Sequence, residues 1–269
     1  MQGLELTSAS SKAMRVWSDG RVEEITERYP LEKAYKLTAS GRLVALVSLL
    51  PTLLREFACG FLVTEGLSTP GSIRSVSVDG LELKVEVEDP AALDSKLSFY
   101  RAVSRLIRAP CSSLSPETLL LPLEAKVREV KLSFKVTPSD VWSAISWLRK
   151  SKLYRELGMV HVCAIAKPGA EAPMVIAEDV GRHSAVDKAV GYLVLNRIAD
   201  RELMLCVSGR LTGDLVAKAA RAGIPIVASI SGPTSTGVEI ARKAGVTLIG
   251  FARGARRLTV YTGEERIAI

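Results

Sequence analysis

Three short runs in the second half of the chain, Leu203-Met-Leu-Cys-Val207, Ile224-Pro-Ile-Val-Ala228 and Val246-Thr-Leu-Ile-Gly250, are almost wholly apolar. A strand with one wet face alternates apolar and polar side chains, whereas a run without alternation needs cover on both faces. Stretches at helical spacing stand between these runs, so the second half reads as α/β with a largely parallel sheet. Strands are predicted over 129–136, 159–166, 173–178, 203–207, 225–229 and 246–251, and helices over 139–152, 182–198, 213–222 and 234–243.

The first half has another texture. Residues 1–13 are small and polar and predict a mobile terminus, with short strands near 13–17 and 20–28. A hairpin follows over Lys33–Thr38 and Leu43–Ser48, turning at Ser40-Gly41. Pro51 suits the first turn of a helix running to about Glu65, with Leu54, Ala58, Phe61 and Leu62 on its apolar face and Gly66 as its stop. Strands over 72–78 and 81–88 flank Asp79-Gly80, a tight-turn pair, and a helix fits 91–107. The proline-flanked stretch Ala109-Pro-Cys-Ser-Ser-Leu-Ser-Pro116 predicts an exposed loop near a domain boundary. The expected division is an N-terminal α+β domain over 1–115 and an α/β domain over 116–269, which suits a chain of 269 residues.

Charge narrows the partners. Lys and Arg total 36 against 29 Asp and Glu, a net +7 that favours a phosphorylated cofactor, a nucleic acid or an acidic protein. Aromatic residues make up only 5%, too few for the stacking platforms of single-strand binders, and nucleic acid is not expected as a partner. The longest apolar run, Leu43–Leu54, is interrupted by Ser48 and Pro51, so no membrane span is expected. The first fourteen residues hold no signal-peptide core, and a cytoplasmic protein with four reduced cysteines is expected. Neither a Walker sequence nor G-x-G-x-x-G occurs, and His161-x-Cys163 has no second pair at metal-ligand spacing, so no metal site is expected.

The chemistry gathers at strand ends, where α/β sheets bind ligands. Val207-Ser-Gly-Arg-Leu-Thr-Gly-Asp214 leaves a buried strand and opens a helix. Ser208 and Thr212 offer hydroxyls, Gly209 lets the backbone approach a ligand, and Arg210 offers a fork for phosphate. A capped helix behind a tight turn would need the same residues. Ser229-Ile-Ser-Gly-Pro-Thr234 repeats the pattern, as does Gly250-Phe-Ala-Arg-Gly-Ala-Arg256, and the three turns are expected to converge on one sheet edge around an anion. A fourth block, Ala177-Glu-Asp-Val-Gly-Arg-His-Ser-Ala-Val-Asp-Lys188, carries a strand into a helix whose core face is Ala185, Val186, Ala189, Val190 and Leu193. Its charges suit either a functional site or a salt-bridged helix start. The two histidines of the chain, His161 and His183, both fall at element ends of this half, where a shared pocket could use them. Cys59, Cys163 and Cys206 sit in apolar patterns as small hydrophobes, while Cys111 follows Arg101, Arg105 and Arg108 in a loop, a setting that favours the reactive thiolate.

These motifs resemble the formate dehydrogenase accessory sulfurtransferase family, FdhD/NarQ. The resemblance runs from about Arg28 to Thr262. In the N-terminal half it rests on Arg28-Tyr-Pro-Leu31 and Gly60-Phe-Leu-Val-Thr-Glu-Gly66. In the C-terminal half it rests on Glu178–Lys188, Ser208-Gly-Arg210, Lys218-Ala-Ala-Arg-Ala-Gly-Ile-Pro225, Pro233-Thr234, Leu248–Arg253 and Val260-Tyr-Thr262. It implies a cytidine-deaminase-like three-layer α/β domain without the catalytic zinc, a smaller N-terminal α+β domain and a homodimer. It also implies a sulfur carrier that takes sulfur from a cysteine desulfurase, as a persulfide on Cys111, to the molybdenum bis(guanylyl molybdopterin) cofactor needed by formate dehydrogenase. The segment Phe251, Ala252, Arg253, Gly254, Ala255 and Arg256 corresponds to the family's cofactor-binding segment. Ser208, Gly209, Arg210, His161 and His183 are expected to join it, with guanosine diphosphate (GDP) as a partial mimic of the cofactor. The chain departs from the family at Leu114, which replaces the second cysteine of the C-x-x-C loop, at Leu157-Gly-Met159, which replaces Thr-Gly-Gly, and in a segment after Phe251 that is one residue longer. The first departure leaves a second expectation: a cofactor-binding chaperone or carrier without sulfur transfer.

Overall fold

The computed structural model describes residues 7–107, 134–254 and 256–269. The chain opens with an antiparallel ribbon, β1 (Ser8–Val16) and β2 (Val22–Pro30), in register from Ser8↔Pro30 to Val16↔Val22. The terminus expected to be mobile is therefore paired strand from Ser8 onward. Composition misled here because a ribbon exposed on both faces carries polar residues on both.

A four-stranded sheet follows, with order β4-β3-β6-β5, built from β3 (Lys33–Ala39), β4 (Arg42–Leu49), β5 (Ile73–Asp79) and β6 (Glu82–Val87). Ser40 and Gly41 both take positive φ, 44° and 76°, the backbone a two-residue hairpin turn requires. Helices α1 (Leu54–Thr64) and α2 (Pro90–Ile107) cover one face, and Phe57, Phe61, Leu62, Leu93 and Leu97 pack there on Leu37 and Leu83. Pro51 is not in the first helical turn. Leu53 adopts a left-handed conformation (φ 50°), so the helix starts only at Leu54.

The second unit is a six-stranded sheet, order β12-β11-β10-β9-β7-β8. Its strands are β7 (His161–Ala166), β8 (Val175–Asp179), β9 (Met204–Val207), β10 (Ile226–Ser229), β11 (Thr247–Arg253) and β12 (Arg257–Thr262). Only β9, β10 and β11 run parallel; β7, β8 and β12 are antiparallel to their neighbours. The sheet is thus mixed rather than largely parallel, because hairpin-type connections at both edges replace helical crossovers. Alternation along the strands builds three layers. Cys163, Ile165, Leu205, Val207, Val227 and Leu248 face helices α5 (Arg182–Leu195), α6 (Gly213–Arg221) and α7 (Ser235–Ala244). Val162, Ala164, Met204, Cys206, Ile226 and Ile249 face α3 (Pro138–Ser146). The helix expected over 139–152 is broken. Ser151 accepts a hydrogen bond from the Tyr154 N–H at 3.1 Å and caps a new short helix, α4 (Lys152–Leu157). Of the strand expected at 129–136, residues 134–136 are described and form only a single bridge, Val136 to Ile267, and the proposed boundary at 115/116 lies outside the described residues.

Helix α1 belongs to both cores: Val63 packs with the α5 side of the large sheet while Phe57 packs with the small one. It meets α5 backbone to backbone. A Cβ on Gly60 would stand 1.7 Å from the Asp187 carbonyl oxygen, and one on Gly191 would stand 1.7 Å from that of Glu56. Two buried charge clusters pin the same contact. Lys188, fully buried, pairs with Asp179 at 2.7 Å and donates to the carbonyls of Leu50 at 3.0 Å and Glu178 at 3.1 Å. Lys218 pairs with Asp187 at 2.8 Å and Glu65 at 2.7 Å, and donates to Thr64 Oγ1 at 3.1 Å. Burial opposes the Lys218 charge, but Asp187 and Glu65 together raise its pKa above the ordinary lysine value.

Candidate functional site

The three turns predicted at strand ends do converge. Strands β9, β10 and β11 are parallel neighbours, and hydrogen bonds tie their ends together. The Ser229 hydroxyl donates to the Gly209 carbonyl at 2.7 Å and accepts the Ser231 N–H at 2.9 Å. The Phe251 N–H donates to the Ser231 carbonyl at 2.9 Å. A serine hydroxyl with one proton and two lone pairs is suited to such a bridge.

Because β7 runs against β9, its first residue, His161, arrives at the same edge. The Val162 N–H donates to Ser208 Oγ at 3.0 Å, and His161 Nδ1 lies 3.3 Å from that oxygen. Strand β8 pairs His161 with Asp179, so the start of α5 also reaches this edge. A Cβ on Gly209 would stand 3.1 Å from Arg182 Cδ and 3.4 Å from His161 Nδ1, so the glycine admits both side chains. Arg182 Nε is buried and has no hydrogen-bond partner among the described residues. His183 Nε2 lies 2.8 Å from Asp214 Oδ2, out of line for a hydrogen bond. Burial raises the Asp214 pKa, but His183, the Thr212 hydroxyl and the Leu215 N–H outweigh it and hold the carboxyl well below the usual range. His161 is shifted the other way: burial first, then Arg182 and His183, lower its pKa against a weaker pull from Asp179. Both histidines are thus brought to one edge with Ser208, Gly209 and Arg210, the last of them exposed.

The segment Gly250–Arg256 differs from its expected form. The strand does not end at 251, as expected, but continues to Arg253 and turns at Gly254 (φ 63°) into β12, a strand not expected from the sequence. Phe251 takes φ 51°, and its ring covers Gly232, where a Cβ would lie 2.6 Å from the ring. Arg253 stands over that ring, 5.7 Å from its centre, and donates through Nε to the Ile230 carbonyl. Arg253, Gly254 and Arg256 are exposed. Ala252 points into the α3-side core, so its side chain is no ligand contact, and Ala255 lies outside the described residues.

The Glu178–Lys188 block divides its work. Arg182 and His183 face the strand ends, whereas Asp179, Asp187 and Lys188 form the buried clusters beneath them. Arg182 and Asp214 were not among the binding residues expected from sequence. The only signals were an arginine in a helix's first turn and an acid just after a Thr cap. Cys59, Cys163 and Cys206 are fully buried thiols, as expected. Burial pushes Cys59 and Cys206 up to about 12 and Cys163 well above its ordinary value. Cys111 lies outside the described residues. No helix among the described residues is long and apolar enough to cross a membrane, and no cluster there could hold a metal ion.

The model of the FdhD/NarQ family matches residues 30–268, taking in both sheets and every turn of this edge. The chain belongs to the FdhD/NarQ family. Among its FdhD relatives is the sulfur carrier protein FdhD of Saccharolobus solfataricus, 36% identical over 219 residues, 79% of each chain. That of Geobacillus kaustophilus is 29% identical over 97% of this chain and 98% of its own. That of Staphylococcus aureus is 30% identical over 93% of both. A crystal structure of a putative formate dehydrogenase accessory protein from Desulfotalea psychrophila superposes with a TM-score of 0.77 at 27% identity, covering 97% of this chain and all of that one. Of the FdhD/NarQ motifs in this sequence, Ser208-Gly-Arg210, Pro233-Thr234 and Leu248–Arg253 lie at the strand-end site, while Gly60–Gly66 and Lys218 fasten the helices below it and Glu178–Lys188 does both.

Proposed function

We propose that this protein is a sulfur carrier in the maturation of a formate dehydrogenase-type molybdoenzyme, receiving sulfur on Cys111. The observation that carries the reading is the state of the other thiols. Three of the four cysteines are buried with pKa values raised far above neutrality, and a thiol in that state supplies almost no thiolate for exchange. Cys163 therefore does not stand in for the missing second loop cysteine. The Cys111 thiolate attacks the sulfane sulfur of a cysteine desulfurase persulfide. A new S–S bond forms at Cys111, the donor's S–S bond breaks, and the donor cysteine leaves as a thiolate.

The acceptor in this reading is the molybdenum bis(guanylyl molybdopterin) cofactor, bound as substrate at the strand-end edge. Its pyrophosphates are anions, and Arg182, Arg210, Arg253 and Arg256 stand at or beside that edge. The unpartnered, buried Nε of Arg182 supports an oxygen ligand there, since buried polar atoms seldom go unmatched. The mixed three-layer sheet supports the deaminase-like description of the C-terminal half. A homodimer and a docking role on the client enzyme complete the proposal.

The test is incubation with a cysteine desulfurase and cysteine, followed by mass spectrometric mapping. The expected result is one added sulfur (about 32 Da) on Cys111, none on Cys59, Cys163 or Cys206, and none in Cys111→Ala. No added sulfur on Cys111, with GDP still bound, would replace this proposal with a chaperone or carrier that does no sulfur chemistry.

A further inference from the structure

The cleft between α7 and β12, the apolar tip of the β1–β2 ribbon and the histidine edge are the three places where the described residues leave chemistry unassigned. The cleft is lined by Arg242, Glu264, Glu265 and Arg266, but Arg266 is already engaged by the Gly245 carbonyl. The ribbon tip exposes Met14, Val16, Trp17 and Val22, with nothing to identify what covers it. The histidine edge carries an argument furthest.

We propose that Ser208 is a positioning residue that fixes His161 in its Nε2–H tautomer, so that a neutral ring meets the ligand as a hydrogen-bond donor. Ser208 Oγ accepts the Val162 N–H at 3.0 Å, which uses one lone pair and leaves its own proton to donate. His161 Nδ1, 3.3 Å away, is the acceptor within reach. An imidazole nitrogen that accepts a hydrogen bond leaves the ring's proton on the other nitrogen. The opposite arrangement, Nδ1–H donating to Oγ, would fill both lone pairs of that oxygen and leave the hydroxyl proton without an acceptor among the described residues.

The surroundings keep the ring neutral. Arg182 and His183 face it from α5, Asp179 from β8, and Ser208 from the turn after β9. Two cationic or potentially cationic neighbours, with half-burial, outweigh one carboxylate that is already paired with Lys188. Gly209 matters here because a Cβ at that position would crowd Arg182 at 3.1–3.2 Å, while meeting His161 Nδ1 only at contact distance, 3.4 Å. The edge then offers two kinds of contact to a nucleotide: guanidinium charge for phosphate, and one directional N–H for an oxygen acceptor. The ligand half of this inference rests on the strand-end reading above; the tautomer half does not.

Two measurements test the halves separately. Long-range ¹H–¹⁵N NMR of the full-length, ¹⁵N-labelled protein at neutral pH reads the tautomer, with His161→Gln assigning the ring. The expected spectrum shows a bare Nδ1 and a protonated Nε2 for His161, retained in Ser208→Thr and lost to a tautomer mixture in Ser208→Ala. A protonated Nδ1 in the wild-type spectrum overturns the inference. Calorimetric titration with GDP gives the second readout. Ser208→Ala is expected to weaken binding about three- to tenfold, the worth of one hydrogen bond, with recovery in Ser208→Thr. Unchanged affinity in Ser208→Ala, with the expected tautomer in the wild type, overturns the ligand role of His161. Absence of GDP binding to the wild type, with the expected tautomer, overturns the strand-end reading and leaves Ser208 as the tautomer-setting residue.

Discussion

Gly60→Ala is the sharpest test of how the two sheets are joined. At Gly60 a methyl group would stand 1.7 Å from the Asp187 carbonyl oxygen and 2.7 Å from the Gly191 nitrogen, both backbone atoms of α5. Real Cβ contacts do not fall below 3.0 Å, so the helices must part by about 1.3 Å or tilt. Neither is free, because α1 is held at both ends of the contact. Lys188 grips the Leu50 carbonyl before the helix, and Lys218 grips Thr64 and Glu65 at its end. Overpacking a core costs about 1–3 kcal/mol where side chains can adjust. Here only backbone can move, so the upper end, about 3 kcal/mol, is the expected minimum. Replacing glycine by alanine in a helix returns about 1 kcal/mol, leaving a net loss of roughly 2 kcal/mol or more. For a chain of this size that lowers Tm by roughly 4–8 °C or more. Thermal unfolding followed by circular dichroism, on Gly60→Ala and Gly191→Ala, is the assay. A Tm within about 1 °C of wild type in both variants would refute a backbone-to-backbone crossing.

Two further outcomes follow from the same structure. Lys188→Met strands the fully buried Asp179 carboxylate, which breaking a buried pair makes costly by about 3–5 kcal/mol; chemical denaturation should show this loss, with part of it recovered when Asp179→Asn is added. Arg253→Ala combined with Arg256→Ala should weaken GDP binding at least tenfold and flatten its salt dependence, each lost charged contact contributing about 1.5–3 kcal/mol where it is made; unchanged affinity by titration calorimetry would remove both arginines from the site.

Much of the large sheet was legible because apolar runs leave few options. The alternation of Cys163, Ile165, Leu205 and Val207 against Val162, Ala164, Met204 and Cys206 only sorts the runs between two helical layers. The core face read for the fourth block, Ala185, Val186, Ala189, Val190 and Leu193, is buried as expected. Strand direction was not legible, since a covered strand has the same composition whichever way it runs. That is why β7 and β8 were misjudged, while β12, whose apolar and polar residues mix without a run, was not expected as a strand at all. The convergence of the turns could be foreseen from their shared pattern, but Arg182 and Asp214 could not be placed beside the histidines. That neighbourhood depends on β7 running against β9 and on what Gly209 leaves open. Asp187 and Lys188 illustrate the limit from the other side. Charge alone suggested a functional site or a salt-bridged helix start, and only the partners supplied by α1, α6 and β8 explain why these groups sit in the interior.

Helix α1 is made early and finished late. Its partner α5 begins roughly 120 residues further along the chain, and Lys218 comes later still. At ribosomal rates of about 5–20 residues per second, the Gly60 surface waits roughly 6–24 s for the backbone it fits. During that interval the small sheet holds a helix with one face bare and two acceptors, Glu65 and the Leu50 carbonyl, without their lysines. A nascent chain of this protein therefore completes its N-terminal half only when the C-terminal half has emerged, and truncation before α6 leaves neither half closed.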